Sequence, residues 1–510
     1  MQFPRGNFGE AFGDQMMTVD LLLTGFRVAM EPINLLGCFI GVLTGTMIGV
    51  LPGIGPIATM SILLPVTFGI PPITAIIMLA GIFYGAMYGG STTSILVNIP
   101  GEAASVVTCL DGYQMALQGR AGPALGISAI GSFIGGTLSV VGLMLCSQPL
   151  ARWAVKFGPV EYTGLMLLGL IAVVFLVRQS VLKGLMMVCL GLFLAMIGQD
   201  IVTGRPRFTF GVFQLQGGID FLPMVVGLFG ISEVLVNVGT PENKEILSTK
   251  IKQIWPSSLD LKRSLMPILR ATGLGFFLGF VPGGGVITSP FFSYALEKRL
   301  SKNPESFGKG AIEGVAGPET ANNAASISGF IPLFSLGIPS NVVLALLMGA
   351  MMIHGIQPGP LLLSKKPEMF WGFVASMYIG NVMCLILNLP LVGIWVQLLK
   401  VPSKILFPSI VLFCLVGVYT VNNSVIDIYV MAFFGIVGYV FRKRDFEPAP
   451  LAIAFVLERL IEESFRQALT ISHGSFKIFL SSPISFVCIS LSMFIVIYSF
   501  LGKKIFKKRV

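Results

Sequence analysis

Small hydroxyl and amide side chains occur in two parts of this chain that contain no Lys or Arg. Hydroxyl and amide groups suit a bound carboxylate, and backbone carbonyls freed by a helix break suit a sodium ion. The bland alternative is that such small residues only allow close packing of helices, as for Gly41, Gly45 and Gly49. The candidates for substrate binding are Ser91, Thr92, Thr93, Asn98, Pro100, Gly101, Asn322, Asn323, Gly337, Pro339, Ser340 and Asn341.

Two Gly- and Pro-rich elements lie beside these groups, one in the uncharged stretch from Pro32 to Gly101 and one in the stretch from Ala271 to Leu296. A Pro-Gly pair removes a backbone donor and frees φ, so a helix ends there and restarts. The exposed helix termini carry a partial positive charge that can hold an anion without a basic side chain. The helix-break candidates are Pro52, Gly53, Gly55, Pro282, Gly283 and Gly285.

Three acidic residues border the same elements: Glu102, Asp111 and Glu319. An acidic group at membrane depth is a candidate for coupling to protons or cations. Each also lies next to a possible loop, where water would solvate it, and the sequence leaves both interpretations open. We expect no metal site and no cofactor other than Na⁺ as a coupling ion, held at backbone carbonyls.

The composition is that of a membrane protein. Of 510 residues, 54% are hydrophobic and 11% are charged, which is outside the soluble range. A helix needs about 20 apolar residues to cross a bilayer, and continuous runs of this kind predict about ten to twelve crossings. The fold class is therefore an all-α polytopic membrane protein in the lipid bilayer.

The formal charge of +10 follows from basic residues in short loops, which the positive-inside rule explains without nucleic acid. The rule predicts that clusters around Lys298, Arg442 and Lys503 are cytoplasmic, which requires the stretch 449–457 to belong to a crossing segment. Arg152/Lys156 and Arg178/Lys183 flank one apparent span and contradict each other.

Matched landmarks divide the chain into two related halves. The run Gly49–Gly55 recurs as Gly279–Gly285, and it is followed in both halves by an Ile-Pro element and a Gly-Pro element. Such paired, interrupted segments indicate a transporter site at a repeat interface. We expect inverted repeats, with parallel repeats left open by the ambiguous loops. The predicted units are a first repeat at 1–240, a polar linker at 241–264, a second repeat at 265–480, and a C-terminal span with a basic cytoplasmic tail at 481–510.

Longer motifs resemble the large membrane subunit of the tripartite tricarboxylate transporter family (TctA type). The resemblance covers about residues 20 to 500 and rests on the segments Leu51–Pro56, Tyr84–Thr93, Asn98–Glu102, Asp111–Tyr113, Gly119–Pro123, Phe307–Gly310, Pro318–Ala324, Leu336–Pro339 and His354–Pro360. Two departures from the family pattern occur: Ser340-Asn341 where many relatives have Gly after the second Ile-Pro, and Glu458-Arg459 in place of an apparent Gly-Pro before the acidic Glu462-Glu463.

The resemblance implies a multi-pass permease of the bacterial inner (cytoplasmic) membrane. Its expected partners are a small four-helix membrane subunit and a periplasmic solute-binding protein. It implies uptake of tricarboxylates (citrate-like) or related carboxylates, driven by a Na⁺ or H⁺ gradient. We expect an elevator-like movement of the two uncharged regions against the more regular spans.

Two other function classes remain as alternatives. The first is a passive channel or a stand-alone permease for a small anion, which would be supported by flux without a cation gradient or a binding protein. The second is an intramembrane enzyme. The chain has no Walker pattern, no Gly-x-Ser-x-Gly and no His-Glu-x-x-His, so we expect neither an ATPase nor an enzyme.

Overall fold

The structure is a computed structural model. It describes residues 20–51, 55–176, 180–200, 203–238, 254–281, 285–398 and 403–506. The helix-break candidates Pro52, Gly53, Pro282 and Gly283, and most of the linker 241–264, lie outside the described residues.

The first half consists of helices joined by short turns. They are α1 (20–29), α2 (Pro32–Val50), α3 (Pro56–Leu63), α4 (Pro72–Val97), α5 (Thr108–Leu117) and α6 (Ala121–Ala154), with 3-10 helices at Leu64–Gly69 and Ala103–Val106. A middle group follows: α7 (Pro159–Leu176), α8 (Val181–Ala195), α9 (Phe221–Val225), a π-helical segment (Val226–Ile231) and α10 (Ser232–Asn237). Between α8 and α9 are strands β1 (Gly198–Gln199) and β2 (Pro206–Arg207), paired antiparallel, and a 3-10 helix at Phe213–Gly217.

The second half repeats the pattern of the first. Its helices are α11 (Ser258–Phe280), α12 (Gly285–Leu300), α13 (Glu313–Ser328), α14 (Phe330–Leu336), α15 (Val342–Ile353), α16 (Pro360–Lys365) and α17 (Pro367–Asn388), with a 3-10 helix at Pro304–Ser306. The remaining helices are α18 (Val392–Leu398), α19 (Ser403–Asn422), α20 (Val425–Lys443), α21 (Ala449–Ile471), α22 (Ile478–Ser481) and α23 (Pro483–Phe506).

Helix length and composition confirm the all-α polytopic fold class. Five helices are long and apolar enough to cross a membrane, namely α2, α4, α6, α17 and α20. Seven shorter apolar helices of 10–17 residues accompany them within the described residues.

Glycines join the first two long helices of each half at close range. A Cβ on Gly45 or Gly49 of α2 would lie 2.4 Å from a backbone carbonyl oxygen of α4. In the second half, Gly275 and Gly279 of α11 stand in the same relation to α13, with a Cβ at 2.3 and 2.2 Å from its carbonyl oxygens. The packing interpretation of the glycine spacing is therefore correct, because only glycine allows this approach.

In each half two successive helices form a hairpin that starts and ends on the same side of the helix bundle. After α2 and α3, Thr74 at the start of α4 donates to Asn34 at the start of α2 at 2.5 Å. After α11 and α12, Arg263 near the start of α11 bonds Glu313 at the start of α13 at 2.8 Å. Each half therefore contains a re-entrant hairpin. We call the two ends of the helix bundle the Asn34 side and the Arg263 side.

Each half contributes one long helix, α6 or α17, that packs on the other half. In α6, Gly131 packs on Thr320 of α13, and further along Ser147 accepts a hydrogen bond from Ser335 of α14. Because both residue numbers rise together, α6 runs parallel to α13 and α14.

Helix α17 has the matching position in the first half. Gly372 packs on Ile73 at the start of α4, and Asn381 accepts a hydrogen bond from Tyr88 at 2.5 Å. Helix α17 therefore runs parallel to α4.

The contact between α6 and α17 fixes the relation of the halves. Asn381 donates to the Phe133 carbonyl at 2.9 Å, whereas the earlier residue Tyr378 contacts the later residue Met144. The two helices are antiparallel, so α4 and α13 are antiparallel too. The two sets of helices thus lie in inverted orientation.

Residues 449–457 lie in helix α21. Shortly before α21 begins, the Arg444 carbonyl accepts a hydrogen bond at 2.6 Å from the ammonium of Lys183, which lies at the beginning of α8. Its later residue Arg466 bonds Asp200, just after the end of α8, at 2.7 Å. Helix α21 therefore extends along the full length of α8 and includes 449–457.

The Asp200 end of α21 belongs to the Asn34 side. A cavity there is lined by both Arg207 of β2 and Met352 near the end of α15. Directly after α15, the ring of His354 lies 3.2 Å from the hydroxyl of Thr67, which is close to the start of α4. Arg444 consequently lies on the Arg263 side, together with Lys298 and its neighbours. These two clusters therefore share one side of the helix bundle, and the assignment of that side to the cytoplasm stays a prediction of the positive-inside rule.

Candidate functional site

The first candidate site is the turn that ends α4, residues 98–102, which we call the first tip. Asn98 has a left-handed backbone with φ 57° and closes the helix, and its side chain is exposed. Glu102 caps the following 3-10 helix by accepting from the Ala104 N–H at 2.7 Å. A Cβ on Gly101 would lie 2.1 Å from the Gly49 carbonyl oxygen, so glycine is required where the tip meets α2.

The second tip, residues 337–341, has the same design. Gly337 closes α14 with φ 73°. Asn341 caps α15 by accepting from the Leu344 N–H at 3.0 Å. Ser340 occupies the place of Gly101, and its hydroxyl donates to the Gly329 carbonyl at 3.2 Å. Pro339 lies buried between them.

The hydroxyl residues before the first tip are buried and mostly engaged with backbone. Ser91 donates to the Tyr88 carbonyl at 2.8 Å, and Thr93 donates to the Val50 carbonyl at 2.5 Å. Thr92 is buried beside them. Thr93 therefore fastens α4 to the last residue of α2, immediately before the hairpin turn.

A buried polar cluster joins the first tip to α13. Asn322 donates to Glu102 Oε1 at 3.0 Å, and the Thr108 hydroxyl donates to Glu319 Oε1. Asn323 donates to Ser132 of α6 at 2.7 Å. We call Glu102, Thr108, Glu319, Asn322 and Asn323 the Glu319 cluster.

Three oxygen atoms of the Glu319 cluster have no hydrogen-bond partner within the described part of the chain. They are Glu319 Oε2, Asn322 Oδ1 and Asn323 Oδ1. Each of the three residues is 1% exposed. An unpaired polar atom at such depth is costly and calls for an explanation.

Asp111, the remaining acidic candidate, is fully buried in a different setting. Its Oδ1 accepts from the backbone N–H groups of Gly308, Gly310 and Ala311 at 2.8–2.9 Å, and its Oδ2 accepts from the Tyr294 hydroxyl at 2.9 Å. This saturated carboxylate ties α5 to the loop before α13.

The structure brings some of the predicted residues together and separates others. Glu102, Glu319, Asn322 and Asn323 meet at the first tip. The second tip lies against other elements: Ile338 packs on Gly169 of α7, and Gly337 faces the Pro358 carbonyl. Within the described residues, no hydrogen bond links the two tips.

The helix-break glycines that the structure describes mark helix starts. Gly55 precedes α3 as its cap, and Gly285 opens α12. A Cβ on Gly285 would lie 1.8 Å from the Leu278 carbonyl oxygen, which excludes any other residue at this point in the second hairpin.

Sequence reasoning missed Thr108 and Ser132, which complete the Glu319 cluster. Thr108 lies three residues before Asp111, one helical turn away, and Ser132 lies in a Gly- and Ser-rich run of α6. Their hydroxyls in apolar helices were a signal, but the partners lie on α13, far along the chain.

The departure Glu458-Arg459 lies away from both tips. Both residues line a cavity of about 620 Å³ on the Asn34 side, together with Arg207 of β2. Arg207 also bonds Glu462 of α21 at 2.8 Å. The acidic segment of α21 thus holds the β1–β2 hairpin at the mouth of this cavity.

Two uncharacterized proteins of Agrobacterium vitis are similar to this chain. An uncharacterized 52.8 kDa protein in the TAR-I ttuC' 3' region of Agrobacterium vitis is 49% identical over 470 residues, which is 92% of this chain and 94% of that protein. An uncharacterized protein in the TAR-II ttuC' 3' region of the same organism is 50% identical over 227 residues, covering 44% of this chain and 94% of that protein. No solved structure gives a significant match.

A family model extends the comparison over most of the fold. Residues 35–453, from α2 to the start of α21, match the description "Tripartite tricarboxylate transporter TctA family". This range contains both hairpins, both tips and the Glu319 cluster. The chain therefore belongs to the tripartite tricarboxylate transporter TctA family.

Proposed function

We propose that this chain is the large permease subunit of a binding-protein-dependent secondary transporter in the bacterial inner membrane. It takes up tricarboxylates (citrate-like) or related carboxylates, driven by a Na⁺ or H⁺ gradient. A periplasmic solute-binding protein delivers the substrate, and a small four-helix membrane subunit completes the complex. Family membership supports the transport role, and the partners follow from the tripartite organisation that the family name describes.

One observation carries the proposal for substrate binding. Two left-handed helix ends, at Asn98 and Gly337, are each followed by a prolyl residue and a new capped helix, in inverted orientation. Helix starts at such breaks carry a partial positive charge that favours an anion, in addition to the caps that Glu102 and Asn341 form with the N–H groups of Ala104 and Leu344. They supply carboxylate recognition in segments where the sequence has no Lys or Arg.

The same arrangement supports a moving-site mechanism. Helices α2, α4, α11 and α13 and the exchanged helices α6 and α17 form one closely packed body through glycine contacts. We propose that this body moves as a unit against α7, α8, α19 and α20, which gives elevator-type alternating access.

The test is uptake by the complete system in proteoliposomes. The chain is reconstituted with its small subunit. The binding protein and labelled citrate or a related carboxylate are added outside the vesicles, and an inward Na⁺ or H⁺ gradient is imposed. We expect accumulation above the outside concentration only with a gradient, and its loss on adding an ionophore.

The control is the same preparation without the binding protein, which should accumulate little. Accumulation that requires ATP and ignores ionophores would contradict secondary transport. Flux that never exceeds equilibration, with or without binding protein, would favour the passive channel instead.

A further inference from the structure

The unpaired oxygens of the Glu319 cluster lie on one turn of α13. Residues three and four apart share a face of a helix, so Glu319 lies beside both Asn322 and Asn323. Their other polar atoms are committed: Glu319 Oε1 to Thr108, the Asn322 amide to Glu102, and the Asn323 amide to Ser132. The three free oxygens thus belong to one buried face of α13, which the unpaired hydroxyl of Ser128 on α6 also approaches at Glu319.

The cluster also lacks a positive charge. Glu102 and Glu319 are both buried, and in the described part of the chain no Lys, Arg or His forms an ion pair with either. Burying carboxylates without a compensating charge is strongly unfavourable. A bound cation would supply that charge and the missing contacts together.

The chemistry of the oxygens favours a metal cation over a proton. A proton on Glu319 Oε2 would let this atom donate to one of the two amide oxygens, but the other amide oxygen would stay unpaired, because it does not itself take up a proton near neutral pH. One carboxylate and two amide carbonyls are hard oxygen ligands, which suit alkali and alkaline-earth ions. Of the three proposed ligands only Glu319 carries a charge, which suits a monovalent ion, and the described residues contain no group of three or more His, Cys, Asp or Glu that could hold a metal ion.

The inverted repeat provides an internal comparison. Asn98 and Gly337 occupy the same place in the two halves, as do Ala86 and Ala325 at the glycine contacts. In this register Glu319 and Asn322 correspond to Ala80 and Phe83 of α4. Asn323 corresponds to Tyr84, whose hydroxyl lies 3.8 Å from the Cys38 sulfur. The fold builds the equivalents of Glu319 and Asn322 from apolar residues, so helix packing does not require that acid and that amide.

We propose that Glu319, Asn322 and Asn323 bind one sodium ion between α13 and the first tip. Two further residues position these ligands: Glu102 of the first tip holds the Asn322 amide, and Thr108 of α5 holds Glu319. Occupancy of the site would fix the first tip against α13. This inference rests on the proposed function for its role in coupling, but ion binding itself does not require transport.

The test measures ion binding on the purified full chain, without substrate or partners. Binding of ²²Na⁺ and thermal unfolding are measured while NaCl replaces choline chloride at constant ionic strength and pH. Wild type should bind close to one Na⁺ and unfold at higher temperature as NaCl rises, because a ligand of the folded state stabilises it. Glu319→Gln and Asn323→Ala should raise the half-maximal Na⁺ concentration by about ten-fold or more, as expected for loss of a charged or directly bound ligand.

Glu233→Gln is the matched control, since Glu233 is a partly buried acid on α10 that pairs with Arg442. It should keep the wild-type Na⁺ response. Unchanged Na⁺ binding in both cluster variants, or a wild-type protein that responds to pH but not to Na⁺, would overturn the proposal. Variants are compared only when their gel-filtration profiles match that of the wild type. Because Glu319→Gln and Asn323→Ala differ in chemistry, the test still stands if one of them misfolds.

The outcome is separable from that of the proposed function. Na⁺ binding without carboxylate uptake by the reconstituted complex would leave the site in place and refute the transport role. Gradient-driven uptake with no Na⁺ binding by wild type would refute the site and leave the transport role.

Discussion

At the scale of single residues, the two tips share a backbone conformation but differ in side-chain chemistry. Asn98 and Gly337 are both left-handed, a conformation that glycine adopts freely and asparagine tolerates. The first tip thus has a side-chain amide where the second has none. Because the Asn98 side chain is exposed, it is available to a solute.

Substitution of Asn98 by Gly and by Ala distinguishes these needs. Gly keeps the left-handed turn and removes the amide, whereas Ala also strains the backbone. If the amide binds the transported carboxylate, both variants should raise the half-saturating substrate concentration about ten-fold or more, because a hydrogen bond to a charged group contributes about 1.5–3 kcal/mol. Ser340→Ala tests the second tip in the same uptake assay. Wild-type kinetics in both Asn98→Gly and Ser340→Ala would remove the tips from the binding site.

At the scale of helices, glycine contacts decide how near the two members of each pair lie. Gly279 has no room for a side chain: a Cβ would lie 2.2 Å from the Ala325 carbonyl oxygen and 2.3 Å from the Ser328 hydroxyl. Gly273, on the same helix, has no atom within 4 Å of such a Cβ. The two positions form a matched pair within α11.

Gly279→Ala should lower the stability of the protein, whereas Gly273→Ala should leave it unchanged or raise it slightly. Overpacking a tight contact typically costs about 1–3 kcal/mol, while Ala in place of an unconstrained helical Gly is favoured by up to about 1 kcal/mol. Thermal unfolding of the purified variants in detergent measures both effects. Equal unfolding temperatures for the two variants would show that α11 and α13 can separate at little cost.

The sequence predicts the helices and their breaks better than it predicts their partners. Apolar runs and the Gly-Pro landmarks indicate a polytopic helical protein with interrupted segments, because bilayer thickness and proline geometry act locally. The contact of Asn322 with Glu102 depends on how α13 approaches the first tip, and nothing local to either residue encodes it. The exchange of α6 and α17 between the halves is equally invisible to periodicity, since both sides of each helix are similarly apolar.

At the scale of the whole molecule, the inverted halves share one packed body. Helix α6 lies on α13 and α17 lies on α4, so each half is held by a helix from the other. Helices α7 and α8 pack instead with α21 and α23, and α20 packs with the π-helical segment before α10. This division suggests which parts can move together and which can stay fixed in the membrane.

Accessibility of single cysteines tests that division. The seven native cysteines are unpaired and are first replaced by Ala. Cysteines are then introduced at two half-buried positions, Ile99 within the first tip and Val342 directly after the second, and at Phe213, an exposed residue between α8 and α9. If the packed body carries the site across the membrane, labelling at both tip positions by a membrane-impermeant thiol reagent should change when Na⁺ and substrate are added. Labelling at Phe213 should stay constant, because its loop belongs to the fixed part. Opposite changes at the two tips, or an equal change at Phe213, would rule out movement as a unit and favour rocking of one half against the other.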